Sequence, residues 1–579
     1  MIKVDHLSFS FPQKELFHDI SFTLEDGQHC AFIGASGSGK STLLELLKYP
    51  ERNLYDGVIE LAPDCRIGYV SQFSRLEEAK DMTVFDYIAS DFMMLQSELA
   101  SIYIEMETST DMEALLERYQ IILDAYDAIG GDDFEQNIKR KLNLANLGKH
   151  EKLLVSKLSG GEFKILQVIK EMLHSPDLLL MDEPDVFLDF ENLNSLKNLI
   201  NSHKGTLLVI THNRYLLNHC FNKILQLENM ELQEFNGKYI DYNFSLLLKK
   251  IELQELSIAD TLELERNEQL IHKLRADSVV FTEASRGKAL KARIKIKERL
   301  EARRIKAPFV DIKQPDIRLT SDPELEDTTI LTVNHYSVAF DDTLLEEVSF
   351  EIKSHDKVAF LGPNGTGKTT LLRDIYENNH TAIQIADAVK VAYLSQNNSE
   401  ILKESNTVLR EFLDAGFSTN PEVAEHLLKY GFGEEYLPQR IGSLSGGEKN
   451  LLQIAKIAFV NANLLLLDEP TSHLDTYSQL ALEKAISEYN GAVFMISHDF
   501  YTIANCMDYV LIIEDKTVRK MSIRKFRKMI YENHFGKDYL EIEQKKKSVE
   551  TRIAIALKDS DFTLARELTE ELEELIRLL

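Results

Sequence analysis

The chain has 579 residues, too many for one hydrophobic core, and its length points to about three or four domains. Its 44% hydrophobic and 28% charged content is ordinary globular composition, while a net charge of −28 argues against nonspecific nucleic-acid binding over the whole surface. No run approaches the ~18 apolar residues of a membrane span, the N-terminus lacks the apolar stretch of a signal peptide, and four scattered cysteines (Cys30, Cys65, Cys220, Cys506) have no zinc or iron–sulfur spacing, so we expect a cytoplasmic protein with reduced thiols.

The N-terminal "MIKVDHLSFSFPQKELF" alternates polar and apolar residues like a strand. A second apolar strand, "HCAFIG", then runs into "GASGSGKST" (Gly34–Thr42) and a helix, "STLLELL". Here Gly34, Gly37 and Gly39 let successive backbone N–H groups close round phosphate oxygens at a helix N-terminus. Lys40 is placed to neutralise β- and γ-phosphates, Ser41 to ligate Mg²⁺, and Thr42 continues the helix opening. Gln72 ends the strand of "YVSQ", where it can bridge Mg²⁺ and water. Roughly Phe85 to Leu144 reads mostly as helix with a "GGDD" turn. "LSGGE" (Leu158–Glu162) follows, then "LLLMDEP" (Leu178–Pro184), an apolar run that reads as a buried parallel strand. Its end carries Asp182, suited to Mg²⁺, and Glu183, suited to orienting and deprotonating a water. "ITHN" then places His212 at the end of another strand, within reach of a γ-phosphate.

Phe244 to about Arg275 contains no Gly or Pro, and Leu247, Ile251, Ile258, Leu262, Leu270 and Leu274 recur at helical spacing. Such a helix spans about 45 Å at ~1.5 Å per residue. "DSVVFTEASRG" interrupts it, and a second helix from about Lys288 to Arg304 carries Leu290, Ile294 and Leu300, which predicts an antiparallel hairpin. Between Arg286 and Lys306 there are ten Lys or Arg and two Glu. A solvated helix normally mixes its signs, so this one-signed rod, with Arg286, Lys288, Lys291 and Arg293, reads as a local phosphate-binding surface. At its tip Val279, Val280 and Phe281 either pack within the hairpin or reach outward to a partner.

After the linker the motifs return. "GPNGTGKTT" repeats the first Gly-rich loop 328 residues on, with Gly362, Gly365, Gly367, Lys368, Thr369 and Thr370 in the same roles. Gln396 follows in "YLSQ". "LSGGE" (Leu444–Glu448), "LLLLDEP" with Asp468 and Glu469, and "ISHD" with His498 all return at an offset of 286. The drop in offset places an insertion of about 40 residues in the first copy. The stretch after Phe535 reads as a small helical hairpin whose acidic last helix argues against nucleic-acid contact.

With these motifs in this order, twice, the chain resembles a tandem ATP-binding cassette (ABC) protein over about three-quarters of its length. The resemblance implies an α/β chain with two P-loop cassettes, at 1–242 (insertion about 85–144) and 309–535. A helical hairpin linker at 243–308 joins them, and a helical extension occupies 536–579. It implies ATP and Mg²⁺ as ligands and two composite hydrolytic sites. One combines Lys40, Ser41, Gln72, Asp182, Glu183 and His212 with Ser445, Gly446 and Gly447. The other combines Lys368, Thr369, Gln396, Asp468, Glu469 and His498 with Ser159, Gly160 and Gly161. Phe11 and Phe340 stand where the family stacks an aromatic on adenine, although burial in a strand core explains them as well.

The long basic linker resembles that of the F subfamily, soluble tandem cassettes that act on the ribosome. The resemblance implies a monomer whose linker enters the tRNA exit site, between rRNA walls and near the P-site tRNA, without inserting in a membrane. Some relatives with apolar tips dislodge antibiotics bound near the peptidyl transferase centre. The competing reading is the ATPase subunit of a transporter with separate membrane subunits. One departure stands out. The second copy has "DEPTSHLD", whereas the first has "DEPDVFLD", with Asp185, Val186 and Phe187 in the loop that faces the opposite nucleotide. We expect two hydrolysing but unequal sites, drift in a tolerant loop being the alternative.

Overall fold

The computed structural model describes residues 2–11, 14–63, 65–72, 79–107, 111–186, 188–278, 291–299, 315–321, 327–339, 343–534 and 539–579. They divide into two compact units, one holding Met1–Lys238 and Gln314–Phe526, the other Tyr239–Lys313 and Arg527–Leu579. Within the first unit the repeat is a repeat of structure. Each copy has a three-stranded antiparallel sheet and a six-stranded sheet. In the first copy the larger sheet orders its strands Ile67–Val70, Leu178–Asp182, Thr206–Ile210, His29–Gly34, Lys223–Glu228 and Glu231–Asn236. All pair in parallel except the last two. The second copy repeats this with Val391–Leu394, Leu464–Asp468, Ala492–Ile496, Lys357–Leu361, Tyr509–Glu514 and Thr517–Ser522.

The apolar runs become these strands because parallel strands covered on both faces have no solvent side to alternate with. Every residue of Leu178–Asp182 and Leu464–Asp468 is buried. Phe32, Leu43, Leu180 and Leu208 centre the first core, and Phe360, Leu371, Leu466 and Phe494 the second. The Gly-rich loops therefore leave the carboxyl end of a central strand, where open parallel sheets bind their ligands. The insertion folds as helices Val84–Met106, Met112–Ala128 and Phe134–Leu144, with Phe92 stacked on Phe134 at 5.0 Å.

In the second unit a helix runs from Tyr239 to Ser278, 40 residues and longer at both ends than the Phe244 to about Arg275 read from the sequence. Its start is set by Gly237, whose φ of 146° turns the chain out of the strand Glu231–Asn236. Residues 291–299 are helical and tied to it by Arg293 Nη1 donating to Asn267 Oδ1 at 2.8 Å and by Lys297 paired with Glu268 at 2.7 Å. Lys291 is exposed. Val279, Val280, Phe281, Arg286 and Lys288 lie outside the described residues. Helices Tyr539–Lys558 and Phe562–Arg577 pack on the base of the long helix, closing Ile251 against Val549, Ile553, Leu568 and Leu572. Among the described residues no helix is long and apolar enough to cross a membrane.

Candidate active site

Each phosphate loop bends through left-handed glycines, at φ 74° and 102° for Gly37 and Gly39 and at 78° and 86° for Gly365 and Gly367. Side chains are strained in that region, so the turn needs glycine. Gly39 and Gly367 are the N-caps of helices Lys40–Lys48 and Lys368–Glu377, and no side chain caps either end. The first N–H groups, with Ser41, Thr42, Thr369 and Thr370 in the opening turns, are thereby left for an anion. Lys40 Nζ donates to the carbonyls of Gly34 (2.8 Å) and Ala35 (2.9 Å), and Lys368 Nζ to those of Gly362 and Pro363 (both 2.7 Å). Each lysine is curled onto the loop whose anion it is placed to meet. Burial lowers the pKa of both, against the pull of Glu183 on Lys40 and Glu469 on Lys368.

Asp182 and Asp468 end their strands with Oδ1 of the first and both oxygens of the second buried and without a hydrogen-bond partner. Burial pushes each up to about 6, although the neighbouring Ser41 and Thr369 hydroxyls pull the other way. Orphaned carboxylate oxygens beside a hydroxyl are a donor set that fits a hard divalent cation such as Mg²⁺.

Glu183 and Glu469 follow at φ 45° and 49°, strained for glutamate, with their N–H groups donating to Ile210 O (3.0 Å) and Ile496 O (2.9 Å). His212 and His498 are both pushed down to about 4 by burial, and the lysine of the same site adds to the shift. A cavity of about 70 Å³ lies between the copies, lined by both glutamates and both of these histidines.

The copies meet head to tail. Ser36 N reaches Asp475 Oδ2, and Asn364 N reaches Asp189 Oδ2, each at 3.4 Å, so each phosphate loop touches the Asp-Glu loop of the other copy. The "LSGGE" motifs sit at the same seam. Ser159 and Ser445 N-cap the helices Gly160–Leu173 and Gly446–Val460 through capping boxes with Glu162 and Glu448. A Cβ on Gly447 would stand 2.3 Å from Ser36 Oγ, and one on Gly161 3.3 Å from Asn364 Nδ2. Arg214 is buried across the seam, donating to Asp499 Oδ2 at 2.8 Å and to Glu483, with its guanidinium 4.8 Å from the Tyr501 ring.

The two centres differ. Gln72 Nε2 donates to Glu183 Oε2 at 2.6 Å, and His473 Nδ1 of the other copy meets the same oxygen at 2.9 Å. Burial alone would raise Glu183, but the hydrogen bond from His473 and the surrounding positive charge hold it below the ordinary value. In the second centre Gln396 is exposed, and Glu469 Oε1 is buried without a hydrogen-bond partner. Burial, with Asp468 beside it, pushes Glu469 up to about 8. The first copy also carries buried Lys164, which donates to the carbonyls of Ser71 and Gln72 and so pins the loop bearing Gln72. Asp185, pushed up to about 7 by burial, lies near it.

Phe11 is half exposed at the end of its strand, edge-on to Phe9 at 5.2 Å, while Phe187 and Phe340 lie outside the described residues. Lys164 and Arg214 are absent from any motif, while His473 stands in "DEPTSHLD" with no role assigned to it. Their signal lies in the repeat itself, because the positions 286 residues away hold Phe187, Asn450 and Phe500.

A family model described as ABC transporter matches residues 17–186 and 345–472, just over half of the chain. ABC transporter F family member 5 of Arabidopsis thaliana is 28% identical over 534 residues, 89% of this chain and 75% of that protein. Energy-dependent translational throttle protein EttA of Escherichia coli (strain K12) is 28% identical over 520 residues, 87% of this chain and 90% of that protein. Among solved structures, the complex of archaeal ribosomal stalk protein aP1 with the archaeal ribosome recycling factor aABCE1 aligns with a TM-score of 0.51 at 17% identity, over 91% of this chain and 92% of that one, a likeness of fold. Doubled phosphate loops, doubled Asp-Glu pairs and this match lead to one conclusion: the chain belongs to the ABC transporter family, with two of its ATP-binding domains in tandem.

Proposed function

We propose that this chain is a cytoplasmic ABC-F-type ATPase that binds the ribosome in an ATP-dependent way and hydrolyses ATP at two composite sites. The head-to-tail seam carries the second part of the reading, since each phosphate loop lies against one glycine of the other copy's "LSGGE" (Ser36 by Gly447, Asn364 by Gly161) and against its Asp-Glu loop. Mg²⁺ bound with ATP supplies positive charge at the β- and γ-phosphates, and Ser41 with Asp182, and Thr369 with Asp468, are the residues to hold it, with Gln72 and Gln396 beside them. Lys40 and Lys368 release their own loop carbonyls to take the phosphates. Glu183 and Glu469 orient and deprotonate the attacking water, and His212 and His498 hold the γ-phosphate. Phe11 and Phe340 stack on adenine. The chain works as a monomer whose two copies pair within the molecule.

The ribosomal part rests on the long helix Tyr239–Ser278, on the basic segment that follows it, and on the likeness to a relative named as a translational throttle. The linker enters the tRNA exit site, where rRNA and the P-site tRNA supply phosphates. Replacing Arg286, Lys288, Lys291 and Arg293 with Gln should weaken ribosome binding and flatten the slope of log K against log salt, by ~0.7–0.9 for each phosphate no longer neutralised. ATP hydrolysis without ribosomes should persist. An unchanged slope would mean that these cations only solvate a helix.

Val279, Val280 and Phe281 carry a narrower reading, protection from drugs directed at the peptidyl transferase centre. Expressed in a sensitive host, the wild type should raise the inhibitory concentration of such a drug, and Ala at all three positions should remove most of that gain while preserving ribosome affinity. No gain with the wild type leaves a general role in translation. Equal protection by the triple variant assigns the triplet to hairpin packing.

A further inference from the structure

We propose that His473, on the second copy, is a positioning residue for the hydrolytic centre of Glu183 on the first, and that this centre is the faster of the two. The inference rests on the composite-site reading. Glu183 Oε2 meets Gln72 Nε2 at 2.6 Å and His473 Nδ1 at 2.9 Å. Two donors on one oxygen fix the plane of the carboxylate and leave Oε1 as the acceptor for a water. The cavity at this point has room for only a few waters.

His473 reaches Glu183 only when the copies are docked. Its carbonyl accepts from Ser36 Oγ of the first copy's phosphate loop at 3.4 Å. Its backbone is left-handed at φ 60°, and a Cβ on Gly446 would stand 3.1 Å from its ring. Closing the seam thus delivers the second donor to Glu183, tying orientation of the base to closure.

In the other centre the described residues give Glu469 no such donor from the opposite copy, and the imidazole nearest its carboxylate is that of His498 in its own copy, with Nε2 3.6 Å from Oε1. The residue in the position of His473 is Phe187, whose phenyl ring cannot donate a hydrogen bond. Glu469 receives the backbone N–H of His498 at 3.3 Å, and its Oε1 stays buried without a hydrogen-bond partner.

The kinetic test isolates one centre at a time in the full chain without ribosomes. Glu469→Gln should retain more turnover than Glu183→Gln, and equal rates would overturn the ranking. In the Glu469→Gln background His473→Phe should lower kcat about 10-fold, the scale of one missing hydrogen bond to a charged group, with the KM for ATP within about twofold. His473→Gln, which keeps a donor, should recover most of the rate. An unchanged kcat, or a Gln variant as slow as Phe, would overturn the role.

A second measurement needs no turnover. The chain has 16 histidines, and the ¹³Cε1 resonance of His473, assigned by its loss in His473→Gln, should shift in Glu183→Ala and stay in place in Glu469→Ala. A resonance indifferent to Glu183 also overturns the proposal. Should neither Glu→Gln variant slow hydrolysis, the composite-site reading fails. Should both slow it while His473→Phe does not, this inference alone fails.

Discussion

Replacing Glu183 and Glu469 together by Gln is expected to yield a chain that binds ATP, closes and does not turn over. The amide keeps the size of the carboxylate and cannot take a proton, so the step lost is deprotonation of the water, worth about 10²- to 10⁴-fold. Lys40, Lys368 and the carboxylates of Asp182 and Asp468 remain to hold nucleotide. With release blocked, the closed form should accumulate on ribosomes in the presence of ATP and slow growth when expressed. Sedimentation through sucrose decides the matter. A double variant that binds ATP and yet stays off the ribosome would remove the ribosomal reading.

Arg214→Met should open the seam. The guanidinium is one-tenth exposed and serves two carboxylates on the other copy, those of Asp499 and Glu483, the latter itself 9% exposed. Removing the cation strands both charges in a low-dielectric site, a loss of about 3–5 kcal/mol for a broken buried pair. The closed population, read as a distance between spin labels on the two copies, should collapse, and ATPase activity should fall with it. Neutralising the partners in the same chain, as Arg214→Met with Glu483→Gln and Asp499→Asn, should recover much of the closure. Closure that survives Arg214→Met alone would show that the seam does not depend on this cluster.

What the sequence disclosed follows from how local each feature is. The phosphate loops were legible because the end of a strand, a left-handed Gly turn and a helix N-terminus occupy nine consecutive residues, and glycine adopts φ values such as those of Gly37 and Gly39 without strain. The buried strands before Asp182 and Asp468 declared themselves as apolar runs. The long linker helix begins at Tyr239, earlier than the Phe244 read from the sequence, just past Gly237, and Ile240 joins Phe244, Leu247 and Ile251 in its apolar spacing. The contact of His473 with Glu183 was not foreseen, although its loop was expected to face the opposite nucleotide, and Arg214 was missed, both for a reason of distance. Their partners, Glu183 and Glu483, lie 290 and 269 residues away, and no local pattern encodes a contact across that distance. Comparing the two copies position by position does encode it, since Phe187 and Phe500 mark where the copies cannot act alike.

The reciprocal contacts of Ser36 with Asp475 and of Asn364 with Asp189 also bear on the order in which the protein is made. During synthesis the first copy is finished long before Asp475 exists. At ~5–20 residues per second, the interval between residue 242 and residue 475 is on the order of ten to fifty seconds. Over that interval the emerging half holds a phosphate loop, Asp182 and Glu183 but neither His473 nor the Gly446–Gly447 pair. On the composite-site reading it would gather nucleotide without the groups that spend it, and hydrolysis would begin only once the second half has folded.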